Sequence, residues 1–142
     1  MTRAQIIADL LACLRAMGPE HGQSLAARAV VRGMALSPEG GELPMVCLFT
    51  EKVLTTELAE AFAQRIVVMH VWGAAKAPEG DFSQLDELCA SVVGALCNPQ
   101  LNPHWPTTSL GTIEFFEGGA NEPVGMFDLV VEVGYEAAVG QL

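Results

Sequence analysis

The stretch 127-FDLVVEVGYE-136 alternates apolar and polar side chains more regularly than any other part of the chain. Successive side chains of a β-strand point to opposite faces of the sheet, so this alternation predicts a strand. The side chains expected on one face are Phe127, Leu129, Val131, Val133 and Tyr135. Those expected on the other face are Asp128, Val130, Glu132, Gly134 and Glu136. We therefore expect one face to join the core and the other to meet solvent or a partner.

Four other segments complete the predicted strands. Ala26–Leu36, Gln64–Trp72 and Leu110–Glu117 are strand-like, and Leu43–Thr50 is a nearly unbroken apolar run. A run of that kind is typical of a strand buried on both faces. Pro44 indicates the start of that strand or a sheet edge.

Two amphipathic helices flank the central strands. Thr2 and Gln5 fit a capping box before the first helix, which should end at Gly18-Pro19. Asp81 or Ser83 can cap the second helix. The apolar stripes of the two helices are Ile6, Ile7, Leu10, Leu11, Leu14 and Met17, and Leu85, Leu88, Cys89, Val92, Val93 and Leu96.

The segment Val53–Ala63 is compatible with two structures. Leu58, Ala61 and Phe62 suit a short helix, whereas the two adjacent threonines and the strand that follows suit a long hairpin arm. Residues 73–80, 98–108 and 117–124 are predicted loops, and 37–41 a turn.

The predicted order is helix, strand, strand, strand, helix, strand, strand. Connections of hairpin length favour an antiparallel or mixed sheet, and two apolar helix stripes must be buried on it. We therefore predict an α+β fold: a two-layer single domain over residues 1–142.

The charge of the chain is unevenly distributed. The last basic residue is Lys76; the first 76 residues carry seven acids and seven bases, whereas the rest carry ten acids and no Lys or Arg, for a net charge of −10. The part of the chain after Lys76 therefore lacks the Lys and Arg side chains that bind nucleic acid or an acidic membrane surface. No apolar run is long enough to span a bilayer. Asp9 and Arg15 would interrupt a signal-peptide core, so we expect a cytoplasmic protein.

The sequence offers little catalytic chemistry. No GxSxG, P-loop, GxGxxG or HExxH motif is present, so we predict no catalytic site and no cofactor. The four cysteines lie in apolar segments without CxxC spacing, which favours buried reduced thiols, and the scattered histidines make a metal site improbable. The paired carboxylates Asp86-Glu87 and Glu114/Glu117 are interpreted as solvated surface charges.

Several segments together resemble the tail terminator proteins of long-tailed bacteriophages, the group that includes the lambda minor tail protein U. The resemblance covers nearly the whole chain. The segments that carry it are the helix Ile6–Met17, 43-LPMVCLFTE-51, 65-RIVVMHV-71, the helix Phe82–Leu96 with 85-LDEL-88, and 128-DLVVEVGY-135. The chain departs from the family in two places: Phe49 stands where the family often has Tyr, and Val53–Ala63 is more helix-like than the long hairpin that the resemblance implies there.

The resemblance implies a structural virion protein and not an enzyme. Such proteins form hexameric rings on the finished tail tube, stop its polymerisation and present a surface to head-completion proteins. DNA passes through the ring without specific binding. The chain would then act in the host cytoplasm during assembly and in the virion tail. Another head–tail neck protein is the neighbouring possibility.

A small-molecule-binding or enzymatic α+β domain is the alternative from a different functional class. It would require His70 and Trp105 to converge on one cavity.

For a ring, we expect bases of one subunit to meet acids of the next. The candidate interface residues are Arg28, Arg32, Arg65, Glu114, Glu117, Glu132 and Glu136. Exposed ion pairs contribute only about 0–1 kcal/mol each, so apolar contacts must supply most of the stability of the ring. If the acids that follow Lys76 also line the channel, they would repel phosphate and let DNA slide through.

Overall fold

A five-stranded mixed sheet carries two helices on one of its faces. The computed structural model describes residues 1–34, 42–118 and 123–142. Its main elements are α1 (Arg3–Ala16), β1 (Ala29–Arg32), β2 (Met45–Leu58), β3 (Phe62–Lys76), α2 (Ser83–Leu96), β4 (Thr108–Phe116) and β5 (Val124–Ala138). Three short 3-10 turns occupy Pro19–His21, Pro78–Gly80 and Trp105–Thr107. The predicted two-layer α+β fold and its order of elements are confirmed.

The strand order is β1-β2-β3-β5-β4. β1 runs parallel to β2, and all other neighbours are antiparallel. The sheet is therefore mixed. The chain between β1 and β2 is longer than a hairpin turn, which allows the two strands to run in the same direction.

The two helices start differently, because the N-cap residue of α2 is Phe82, which makes no side-chain capping hydrogen bond, and not the predicted Asp81 or Ser83. The Thr2 hydroxyl accepts a hydrogen bond from the Gln5 amide, and the Gln5 side chain accepts one from the Thr2 amide, so the predicted capping box is confirmed. At α2 the Asp81 carboxylate accepts a hydrogen bond from the Ser83 amide at 3.0 Å. This backbone hydrogen bond is the largest cause of the lowered pKa of Asp81.

The core lies between the helices and one face of the sheet. It contains both helix stripes and the alternating residues Phe127, Leu129, Val131, Val133 and Tyr135 of β5, as predicted. We call this the covered face and the other the open face. Gly73 allows the ring of Phe127 to approach β3, because a Cβ at position 73 would lie 2.2 Å from Phe127 Cε1.

Several predicted boundaries are wrong. β3 continues to Lys76, so residues 73–76 are strand and not loop, because Ala74 and Ala75 pair with Met126 and Gly125 of β5. Within the described part of the predicted strand Ala26–Leu36, which ends at Met34, β1 covers Ala29–Arg32. The predicted turn at 37–41 and the central part of the predicted turn 117–124 lie outside the described residues.

The segment Val53–Ala63 is a hairpin and not a helix. β2 continues through it to Leu58, β3 begins at Phe62, and the Ala59 amide donates to the Phe62 carbonyl to close the turn. Pairing across the strands satisfies the backbone groups that a helix would otherwise satisfy locally. The β2–β3 hairpin has a register shift between Thr50 and Lys52. We call residues 45–50 and 69–74 the proximal hairpin, and residues 51–68 the distal hairpin.

Candidate functional site

The open face carries a histidine between two carboxylates at the junction of the proximal and distal hairpins. His70 Nε2 lies 2.7 Å from Glu51 Oε1, and His70 Nδ1 lies 2.7 Å from Asp128 Oδ1. The three residues belong to β3, β2 and β5, so the cluster links three strands. We call it the carboxylate–histidine clasp.

The strand register explains how the clasp forms. His70 pairs with Phe49 on β2 and with Val130 on β5. Glu51 stands at the register shift, and this extra residue lets its carboxylate reach the ring of His70. Asp128 reaches the ring diagonally from β5, where it pairs with Trp72.

The contacts of the clasp change the protonation of its members. Burial alone lowers the pKa of His70, but hydrogen bonds to Glu51 and Asp128, together with their negative charges, raise it above its ordinary value of 6.5. The hydrogen bond from His70 is the main reason that the pKa of Glu51 is lowered. Lys52 Nζ, 3.5 Å from Glu51 Oε2, acts in the same direction. The geometry and the charges both favour an imidazolium.

Aromatic rings shield the clasp. Phe49 stacks on the His70 ring with a centroid separation of 5.2 Å and an interplanar angle of 6°, and it meets Trp72 edge-on at 4.9 Å. The Trp72 indole N–H is buried and has no hydrogen-bond partner among the described residues. The His70 side chain is consequently only 15% exposed.

The clasp does not form a metal centre. Glu51 and Asp128 contact opposite nitrogens of the imidazole ring, so their oxygens do not converge on one point. Among residues 1–34, 42–118 and 123–142, no group of three or more His, Cys, Asp or Glu side chains could hold a metal ion.

The distal hairpin exposes large apolar side chains. Leu54, Leu58 and Phe62 are 43%, 69% and 52% exposed. In the described part of the chain, β1 pairs only with Met45–Leu48, so the outer edge of β2 beyond Leu48 has no strand partner there. Leu54 pairs with Ile66 and shares the open face with Phe62, whereas Leu58 pairs with Ala63 and lies on the covered face. The open edge therefore carries exposed apolar side chains on both faces of the hairpin, an arrangement suited to contact with another protein.

A second apolar surface lies on β4, the strand at the opposite edge of the sheet. Ile113, Phe115 and Phe116 are 37%, 43% and 54% exposed. Only β5 pairs with β4 among the described strands, so the outer edge of β4 is also open.

The three predicted interface arginines are not all together. Arg28 directly precedes β1 and Arg32 ends it, and both are exposed at that sheet edge. Arg15 of α1 reaches the same strand, where its guanidinium donates to the Val30 carbonyl at 3.2 Å. Arg65 lies instead within the distal hairpin, where its guanidinium donates to the Gln141 carbonyl and to the Thr55 hydroxyl. Arg28 and Arg32 form one basic edge, and Arg65 is separate from it.

The predicted interface acids lie mostly on the open face. Glu114 pairs with Asp128, and Glu132 and Glu136 alternate with it along β5, so these side chains share that face. Glu117 is exposed just beyond β4. Gln64 Nε2 donates to Glu136 at 2.8 Å.

The acid excess of the second half is not confined to one surface. Asp86 and Glu87 are exposed on α2, and Glu79 and Asp81 lie in the segment that leads into it. Glu122 lies outside the described residues.

His70 and Trp105 do not share a cavity. His70 is on the open face, whereas Trp105 follows His104, whose ring contacts Asp9 of α1 at 2.8 Å. Neither residue lines any of the four described pockets. The structure therefore gives the small-molecule pocket no support.

Three of the four cysteines are buried, as predicted. Cys13, Cys47 and Cys89 are buried, Cys97 is partly buried, and none of the four forms a disulfide. Burial raises the pKa of the Cys13 thiol to about 11, and the thiol donates to the Ala95 carbonyl. This thiol therefore stays protonated at neutral pH.

Sequence reasoning identified His70 but missed both of its partners. Asp128 is 58 residues away in sequence and Glu51 is 19 residues away. The alternation of β5 places Asp128 on the polar face, which is a partial signal. The register shift that brings Glu51 to the ring has no visible signature in the sequence.

None of the helices in the described residues combines the length and the apolar composition needed to cross a bilayer. Comparison of the chain with protein-family models gives no match, and no curated protein matches it.

Proposed function

We propose that this chain is a phage or prophage tail terminator, a structural protein that forms a hexameric ring, caps the tail tube and joins it to the head. The α+β fold and the hairpin at Val53–Ala63 are what the resemblance to tail terminators leads us to expect. The single observation that carries the proposal is the exposed apolar surface of the distal hairpin.

The free energies of the two kinds of contact favour apolar contacts over ion pairs as the basis of assembly. Burying a Leu or Phe side chain fully contributes about 1.5–3 kcal/mol, whereas an exposed ion pair contributes about 0–1 kcal/mol. Leu54, Leu58 and Phe62 remain between 43% and 69% exposed in the isolated chain. Their burial against a neighbouring subunit would stabilise the ring more than the predicted charge pairs.

The charges of the two sheet edges favour head-to-tail contacts. Arg28 and Arg32 lie at the β1 edge, and Glu114 and Glu117 lie on or directly after β4 at the other edge. Contacts between unlike surfaces generate closed rings when the rotation between copies closes. Opposite charges at the two edges favour contact between the β1 edge of one subunit and the β4 edge of the next. Contact between two identical edges would bring like charges together.

The open face is suited to a channel through which DNA passes. It carries Asp128, Glu132 and Glu136 along β5 and Glu114 beside Asp128 on β4, and acidic side chains repel phosphate. In the proposed ring this face looks toward the DNA. The acids of α2 lie on the other layer and would face away from the channel.

Light scattering coupled to size-exclusion chromatography tests the proposal. We expect a hexamer, or a monomer that hexamerises when the tail-tube protein of the same phage or prophage is added. Binding to assembled tubes separates a terminator from another neck protein. A stable dimer that ignores the tube would contradict the proposal.

A further inference from the structure

We propose that Glu51, His70 and Asp128 form a protonation-dependent latch that fixes the distal hairpin to the rest of the sheet. With a proton on both ring nitrogens of His70 the latch is closed. Loss of one proton breaks the contact to one carboxylate and loosens the hairpin at the register shift.

The donor count of imidazole is the first argument. A neutral histidine has one N–H donor and one acceptor nitrogen, whereas an imidazolium has two donors. Both ring nitrogens of His70 lie 2.7 Å from carboxylate oxygens, which only accept. With both carboxyls ionised, the observed geometry fits the charged form, because a neutral ring would place a nitrogen lone pair against one of the two carboxylates.

The position of Glu51 decides which contact opens first. Glu51 is 45% exposed and stands at the register shift, whereas Asp128 is 18% exposed within the regular pairing of β3 and β5. Water can replace the histidine as partner of Glu51 more easily than as partner of Asp128. Deprotonation therefore releases Glu51 and with it the β2 side of the hairpin.

The charges around His70 determine whether its ring is protonated or neutral. On β2, Lys52 contacts Glu51 and keeps that carboxylate ionised. On β5, Glu132 lies on the same face as His70, and Glu114 of β4 pairs with Asp128, so the acids near the ring outnumber the bases. This environment favours the imidazolium, in agreement with the raised pKa of His70.

The consequence for assembly rests on the proposed function, but the latch itself does not. If the distal hairpin is the surface that meets the neighbouring subunit, the closed latch holds that surface in a fixed shape. Assembly is then favoured at pH values at which His70 is charged.

Two measurements on the full chain test the latch. Side-chain ¹⁵N NMR follows the protonation of His70, and hydrogen exchange followed by mass spectrometry gives protection factors for residues 51–58, corrected for the intrinsic effect of pH. Between about pH 6 and about pH 8.5 we expect protection in this segment to fall by up to about tenfold, the change expected for the loss of one hydrogen bond. Protection of α2 should not change with it.

Variants separate the latch from general effects of pH. Glu51→Gln, at an exposed position that does not threaten folding, should lower the pKa of His70 and abolish the pH dependence of protection in residues 51–58. His70→Gln should abolish it as well. His21→Gln, at an exposed histidine away from the sheet, is the matched control and should retain it.

The outcomes distinguish this inference from the proposed function. If the wild-type hairpin shows equal protection at both pH values, or if Glu51→Gln retains the full response, the latch is wrong even if hexamers form. If the response is present but no ring forms with or without tube protein, the latch stands and the proposed function fails.

Discussion

Along β2, the proximal and distal halves of the β2–β3 hairpin have opposite environments. Met45, Val46, Cys47 and Leu48 are all buried, whereas residues 51–58 are exposed apart from the partly buried Val53. β1 and the helices enclose the proximal half. In the distal half, the β2 side (residues 51–58) pairs only with β3 among the described strands. Its β3 side pairs with β5 as well and includes the buried Ala63, Val67 and Val68.

This difference shows how one hairpin can serve two purposes. The proximal half stabilises the monomer by apolar burial on both faces. The distal half retains apolar side chains, such as Leu58 and Phe62, without burying them. Side chains that contribute little to the monomer are available to stabilise an assembly, and the clasp lies at the boundary between the two halves.

Truncation of one leucine in each half should give the largest contrast. Leu48→Ala removes a fully buried side chain and should lower the free energy of unfolding by about 2–5 kcal/mol. Leu54→Ala, at a 43% exposed position, should lower it by less than about 1 kcal/mol. Urea denaturation under conditions that keep the chain monomeric measures both. Equal losses of unfolding free energy in the two variants would contradict the difference in burial between the proximal and distal halves.

Two glycines on the sheet give a smaller contrast. A Cβ at Gly73 would meet Phe127 at 2.2 Å, whereas a Cβ at Gly134, which pairs with Ile66 of the distal hairpin, would meet nothing closer than 3.9 Å. Gly73→Ala should therefore destabilise by about 1–3 kcal/mol, as overpacked cores do. Gly134→Ala should be near neutral or stabilising. Thermal unfolding followed by circular dichroism measures the stability of both variants. A larger loss of stability for Gly134→Ala than for Gly73→Ala would contradict this description of the packing.

The clasp should give a pH effect of smaller size. The pKa of His70 is raised in the folded chain, so its contribution to stability is fully present below about pH 6.5 and is lost as the pH rises through the folded value. The free energy of unfolding should fall between about pH 6 and about pH 8.5, by about 0.5–1.5 kcal/mol if one hydrogen bond is lost. His70→Gln should flatten this part of the profile. A wild-type stability that rises over the same interval would contradict the sign.

Charge reversal at a sheet edge should have the smallest effect. Arg32→Glu should weaken assembly by no more than about 1 kcal/mol per contact and leave the monomer unchanged, because the side chain is exposed. Glu114→Arg combined with Arg32→Glu should recover part of the loss. Sedimentation velocity at low ionic strength measures both variants. A double variant no better than the single one would remove this pair from the interface.

Local patterns predicted the elements better than their pairing. The alternation of 127–136 and the two helix stripes correctly identified the residues that face the core. The parallel β1 and the extension of β3 to Lys76 were not predictable, because they depend on partners distant in sequence. Val53–Ala63 was ambiguous for the same reason: Leu58 and Phe62 fit a helix locally, and cross-strand pairing decides against it.

The candidate site shows the same limit. His70 was recognised as a strand histidine, and Asp128 was placed on the polar face of its strand. Their contact depends on the register between β3 and β5, and the contact to Glu51 depends on one extra residue in β2. No local sequence motif indicates the strand register or the position of the extra residue.

The most direct test of the central claim is sedimentation velocity on the wild type and on Leu58→Ser combined with Phe62→Ser, each with and without tail-tube protein. The account predicts a six-subunit species for the wild type and only monomer for the double variant, with unchanged monomer stability because both side chains are more than half exposed. A double variant that assembles as the wild type does would contradict the claim that the distal hairpin is the assembly surface.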